Sequence, residues 1–174
     1  MSHLANRLAQ GDRAAFAELY DLCGDRLHHF LVSKRMSQED ASDVLQEVFL
    51  RLVRKKKVFQ SVENPIAYTF QVARNEANRW ISMSIRKREQ YQLLAADLFA
   101  EFASNHSRSA EWSETLINAL ISLPDEQREV VVLRIHSGFA FREIAAITET
   151  PQGTVATRYR RGIEKLRELV GDLE

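Results

Sequence analysis

The sequence is poor in residues that staple, break or anchor a chain. Cys23 is the sole cysteine, which excludes an internal disulfide and a multi-cysteine zinc site. Three prolines and six glycines in 174 residues leave long stretches where a helix is not interrupted. No strand-like alternation or hairpin turn pair stands out, so the expected fold class is all-α. No apolar run approaches the ~20 residues of a membrane span. The opening MSHLANRLAQGDR has no signal-peptide core, so the expected location is cytoplasmic, with no membrane insertion. A phosphate-binding Walker loop, a nucleophile–base motif and a catalytic carboxylate pair in fixed context are also missing. The chain is therefore expected not to be an enzyme and to use no cofactor or metal. Net charge is missing as well, with 24 basic residues balanced by 24 acidic ones.

What is present is unevenly distributed. Arg51 to Arg88 holds ten basic and two acidic residues, a net of +8, with Arg86, Lys87 and Arg88 at its end. Residues 1–50 carry −3, residues 89–129 carry −6 and residues 130–174 carry +1. Segregation of this kind predicts distinct contact surfaces. The 45% hydrophobic and 28% charged composition is that of a globular protein. The expected arrangement is two small helical domains, 1–90 and 111–174, joined by a linker at 91–110. Ser104 to Ser109 is polar and linker-like, whereas Leu93, Leu94, Leu98, Phe99 and Phe102 predict some packed helix beside it.

Along the first half, Asp12 predicts a helix cap, followed by Phe16, Leu19, Tyr20, Cys23, Leu27, Phe30 and Leu31 on one face. Ser37 caps the next helix, whose apolar stripe is Ala41, Val44, Leu45, Val48, Phe49 and Leu52. Asp43, Gln46, Glu47 and Leu50 lie off that stripe, as solvated surface or as a docking face. Asn64-Pro65 opens a third helix. Ile66, Phe70, Ala73, Ala77, Trp80 and Ile81 supply its buried side, and Asn75, Asn78 and Arg79 its polar side. Tyr68 and Trp80 add aromatic rings near the positive charge. Aromatics with Arg and Asn suit unstacked nucleic-acid bases, and core packing is the alternative for both rings.

In the second half, a helix is expected from Trp112 to Ile121, and Pro124-Asp125-Glu126 opens another. Then FAFREIAAITETPQGTVATRYRRGIEKLRELV has the pattern of a helix-turn-helix. Phe141, Ile144, Ala145 and Ile147 give its first helix an apolar side. Thr150 is expected to cap the second helix ahead of Pro151. Val155, Tyr159, Ile163, Leu166 and Val170 form that helix's buried face. Thr157, Arg158, Arg160 and Arg161 stand on or beside the opposite one, which in this motif enters the major groove.

Four stretches in order resemble the extracytoplasmic-function group of the sigma-70 family of bacterial RNA polymerase sigma factors. They are FAELYDLCGDRLHHFL, DASDVLQEVFLRLVR, PIAYTFQVARNEANRW and the segment from Leu123 to Leu169. The resemblance implies partners: core RNA polymerase through its β and β′ subunits, promoter DNA, and an anti-sigma factor. It implies that Asp43, Gln46, Glu47 and Leu50 dock on polymerase. It implies that Tyr68, Asn75, Arg79 and Trp80 act at the −10 element, and that Thr157, Arg158, Arg160 and Arg161 act at the −35 element. Arg79 and Ala156 depart from common family residues, which bears on the promoter sequence read. Two rival functions remain at this point: an autonomous helix-turn-helix regulator, and a sigma-like decoy for anti-sigma proteins. The polar linker leads one to expect two loosely coupled halves.

Overall fold

The computed structural model describes residues 3–83 and 114–171. All of its regular elements are helical. The expectations for Arg86 to Arg88, for 91–110, and for the helix start at Trp112 fall outside the described residues.

α1 (His3–Gln10) and α2 (Arg13–Ser33) are separated by Gly11, whose φ of 84° favours glycine. Asp12 then caps α2, its carboxylate accepting from the Ala14 N–H at 2.9 Å. α3 (Gln38–Arg54) starts at Ser37, whose hydroxyl oxygen accepts from the Asp40 N–H at 3.0 Å. Acidic Glu39 and Asp40 lie in its first turn and basic Arg51 and Arg54 in its last, both matched to the helix dipole. A 3-10 turn, Lys56–Gln60, follows and packs against α1. α4 (Pro65–Met83) is capped by Asn64, whose amide oxygen accepts from the Ile66 and Ala67 N–H groups at 3.1 Å each.

In the second half, α5 (Glu114–Ser122) leads to α6 (Asp125–Ile135), which begins after Pro124. Gly138, at φ 75°, turns the chain into α7 (Phe141–Thr148), and α8 (Gln152–Gly171) completes the helix-turn-helix. The turn differs from expectation. Glu149, at φ 52° and ψ 40°, ends α7 in the left-handed conformation. The Thr150 hydroxyl donates back to the Thr148 carbonyl at 3.0 Å instead of capping α8. α8 starts one residue later than expected, at Gln152, with the Pro151 carbonyl accepting from Val155 at 3.1 Å.

The halves are not loosely coupled. Leu27, Phe30, Leu52 and Phe70 from the first half and Val130, Leu133, Phe139, Ile144 and Ile147 from the second form one buried cluster. The Phe70 and Phe139 rings meet edge to face at 4.8 Å. α7 lies on α4, and α6 on α2. Covering apolar surface stabilises by roughly 25 cal/mol per Å², so side chains of this size favour the packed state. Linker composition carries no information about that contact, which explains the misplaced expectation. A smaller cluster of Ala119, Leu120, Leu123, Val131 and Leu166 holds α5, α6 and α8 together. There α8 approaches so closely that a β-carbon on Gly162 would sit 2.8 Å from a Val131 methyl.

Candidate functional site

Three surfaces carry the sequence-predicted residues. The first is a groove of about 780 Å³ between α2 and α3, lined by Phe16, Tyr20, Leu45, Phe49, Leu50 and Val53. Asp25, Asp43 and Gln46 also line it, and Glu47 is exposed nearby on α3. The amphipathic pattern of α3 builds this face: Ala41, Val44, Leu45, Val48 and Leu52 are buried, which turns Asp43, Gln46, Glu47 and Leu50 outward. Tyr20 departs from its expected core position. It is 50% exposed, with its ring edge-on to Phe49 at 5.2 Å, because the groove opens between the two helices at that point. Tyr20 and Val53 therefore line the same groove as Asp43, Gln46 and Leu50, a place that sequence periodicity had not assigned to them.

The second surface is α4. Asn75, Asn78 and Arg79 are exposed. At 3.6 residues per turn, Tyr68, Asn75 and Arg79 share one side, whereas Trp80 falls about 140° round the helix from Asn75. Tyr68 is half-buried and edge-on to Phe59 at 5.8 Å. Trp80 is also half-buried against the core. The structure thus brings Tyr68, Asn75 and Arg79 together and leaves Trp80 apart. Glu76, held by Arg51, sits 3.9 Å from Arg79.

α4 also carries contacts absent from the expected site. The Arg74 Nε donates to Glu129 Oε1 at 3.0 Å, and Lys34 Nζ reaches the same oxygen at 2.8 Å. Gln71 donates to Glu149 at 3.1 Å, and Asn64 to Glu143 at 2.7 Å. The other Glu143 oxygen accepts the Ala140 N–H at 2.8 Å, so one carboxylate caps α7 and joins it to α4. Arg128 is almost wholly buried and threads between the halves, donating to the Ser33 carbonyl at 2.8 Å and the Leu123 carbonyl at 3.0 Å. Burial pulls its guanidinium below its ordinary pKa, against the attraction of Asp125. Glu129 had no sequence signal as a site residue. A glutamate inside a Val-rich helix becomes visible only when its partners on α2 and α4 are in place.

The third surface is α8. Arg160 and Arg161 are exposed, with Glu164 3.8 Å from Arg160. Thr157 is half-exposed, its hydroxyl donating to the Gly153 carbonyl at 2.9 Å. Arg158 is turned back onto its own domain, 2.6 Å from Glu126 and 3.3 Å from the Thr150 hydroxyl. Thr157, Arg160 and Arg161 therefore share an accessible side, and Arg158 is occupied at its edge.

Neither histidine of the His28-His29 pair makes a metal site with the other. His28 lies 3.3 Å from the Gln38 carbonyl, and His29 lies 2.6 Å from His136. Among the described residues, no cluster of three His, Cys, Asp or Glu could hold a metal. No helix among them is long and apolar enough to cross a membrane.

The profile for Sigma-70 region 2 matches residues 19–91, and that for Sigma-70, region 4 matches residues 113–166. The RNA polymerase sigma factor CarQ of Myxococcus xanthus is 30% identical over 97% of this chain and 96% of its own length. The ECF RNA polymerase sigma factor SigW of Bacillus subtilis is 28% identical over 96% of this chain and 95% of its own. The solved structure of CnrH in complex with the cytosolic domain of CnrY has the same fold. Its TM-score is 0.72 at 24% identity, over 97% of this chain and 96% of that one. Most of the open groove and the whole of α4 lie within the region 2 match and most of the helix-turn-helix within the region 4 match, and the chain belongs to the sigma-70 family as an extracytoplasmic-function RNA polymerase sigma factor, directing promoter recognition in transcription initiation.

Proposed function

We propose that residues 1–90 bind core polymerase and the −10 element, that residues 111–174 read the −35 element, and that 91–110 links them. The chain supplies recognition and no covalent chemistry, and it works in the cytoplasm. The observation that carries this reading is the acid-rimmed apolar groove at Asp43, Gln46, Glu47 and Leu50, a surface that its own fold leaves uncovered. Depleted charge at the centre and acids at the rim suit a partner helix with basic residues around an apolar stripe. On α4, Asn75 offers amide hydrogen bonds to a base edge, Arg79 offers charge and Tyr68 supplies aromatic bulk on the same side, while Trp80 backs the helix from its other side. On α8, Thr157, Arg160 and Arg161 face the major groove while Arg158 approaches a phosphate once Glu126 releases it.

The packed arrangement is the resting state in this reading. The nominal element positions lie about 25 base pairs apart, on the order of 85 Å of duplex. A compact chain of 174 residues has a radius of gyration near 16 Å. The halves have to separate before both elements are read. An anti-sigma factor, the partner that the family resemblance implies, holds the packed form in this reading; CnrH, which shares this fold, is likewise bound to a protein, CnrY. The test is in vitro transcription with core enzyme, read by permanganate footprinting. Asn75→Ala should leave polymerase binding intact and lower open-complex formation by about 10-fold, the loss of about 1–3 kcal/mol of base contact. Normal melting by that variant would remove Asn75 from the site.

A further inference from the structure

Four polar ends on the N-terminal half hold carboxylate oxygens from the other half: Asn64 with Glu143, Gln71 with Glu149, and Arg74 and Lys34 together with Glu129. Asn64, Gln71 and Arg74 follow one another along one side of α4. The Glu129 contact is the most specific. A single oxygen is held by Lys34 Nζ at 2.8 Å and Arg74 Nε at 3.0 Å, and the three side chains are only 13%, 19% and 6% exposed. Arg35 adds a third cation, 3.7 Å from Asp125. The carboxylates paired with Lys34, Arg35 and Arg74 thus all come from the half that leaves.

We propose that Lys34 and Arg74 form a phosphate-binding site for promoter DNA, and that Glu129 occupies it in the packed state in place of a phosphate oxygen. The inference rests on the promoter-binding reading above and assigns it two residues that the base-reading face does not include. When the halves part, two neighbouring cations lose the anion they share, and one of them, Arg74, adjoins Asn75 on α4, about 100° round the helix. Lys34 at the end of α2 and Arg74 on α4 spring from packed helices, so their positive ends stay within reach of one another and another oxyanion is favoured there. A DNA phosphate is the oxyanion that the partner brings, and Arg binds carboxylate and phosphate with the same donor geometry. Gln71 and Asn64 extend the row of donors along the backbone. The carboxylates of α6 and α7 therefore act as an internal copy of a short stretch of DNA backbone. Free protein is kept off DNA by competition as well as by spacing.

The test is salt-dependent binding of holoenzyme to a forked promoter fragment, where polymerase keeps the halves apart. Lys34→Gln and Arg74→Gln should each weaken binding about tenfold, the size of one charge-assisted hydrogen bond. Each should flatten the plot of log affinity against log salt by about 0.7 for single-stranded contact or about 0.9 for duplex contact. Arg74→Lys should restore the slope. In the free chain, Glu129→Gln should raise affinity for the −10 strand, and adding Arg74→Gln should abolish the gain. Circular dichroism of each variant establishes that the helices are retained. Unchanged slopes in holoenzyme would overturn the phosphate site and leave Lys34 and Arg74 as a tie between the halves. A wild-type holoenzyme without −10 sequence preference would instead reject the promoter assignment to 1–90, a separate failure.

Discussion

Two faces of the N-terminal half carry similar polar equipment and are treated differently by the fold. On α3, Asp43, Gln46, Glu47 and Leu50 are exposed, and the one ion pair among them joins Glu47 to an exposed Arg54 at 3.7 Å. On α4, Asn64, Gln71 and Arg74 are each bonded to a glutamate of the C-terminal half. The face assigned to polymerase is open, while part of the face assigned to DNA is filled. The difference teaches an order of events. A partner can seat on α3 without disturbing the shared core, whereas anything that competes for α4 has to displace α6 and α7. Exposed ion pairs such as Glu47–Arg54 contribute little, about 0–1 kcal/mol, so α3 loses almost nothing on docking.

The comparison breaks most severely if the shared core is not what holds the halves. Phe139→Ala removes the ring packed on Phe70 and should cost about 3–5 kcal/mol in denaturant unfolding. It should also enlarge the hydrodynamic radius; an unchanged radius and midpoint would mean that the halves are not joined there. Next in size, Asp43→Arg with Glu47→Arg should weaken core polymerase binding by about 10- to 100-fold, mainly through association rate and with an altered salt dependence. Full retention of core binding would move the docking face elsewhere. Arg160→Ala and Arg161→Ala should each cost about 1–3 kcal/mol in −35 binding and relax preference at one or two base pairs. A uniform loss over all sequences would make them phosphate contacts like those inferred for α4. The smallest effect is at acid pH. Burial pushes the Asp125 carboxyl up, but the charge and hydrogen bond of Arg128 leave it below its ordinary value. A lowered folded pKa adds stability above the unfolded value, near 4, and that stability is lost as pH falls through the folded value. Asp125→Asn should therefore lower stability slightly at neutral pH and flatten the acid limb of the stability–pH curve, and an unchanged acid limb would remove Asp125 as its source.

Much of this was legible in the chain. Helical period fixed the α3 stripe, and the outward position of Asp43, Gln46, Glu47 and Leu50 follows from it. Ser37, Asn64 and Asp12 announced their caps because side-chain capping is local. The turn before α8 falls one residue later than expected because the Thr150 hydroxyl can accept from a forward N–H or donate to a carbonyl behind it, and after the left-handed Glu149 it donates back to Thr148. Tyr20 was assigned to the core because its spacing fits; exposure there depends on how far α2 and α3 splay, which spacing does not encode. Glu129 and Arg74 were the least visible, since a buried ion pair between residues 55 apart in sequence leaves no periodic trace. Trp80 has the right type and neighbourhood for a stacking platform, yet helix geometry turns it away from Asn75.

Cys23 has a consequence for thiol labelling. Its thiol is almost fully enclosed in α2 and donates to the Leu19 carbonyl at 3.1 Å. Burial pushes its pKa up to about 12, against a small opposing pull from Arg26. The thiolate is the nucleophile that attacks peroxides and disulfides, and at neutral pH almost none of this buried thiol is in that form. The Cys23 thiol is shielded from that chemistry while the fold is intact. Modification of Cys23 by a thiol reagent therefore reports opening of α2.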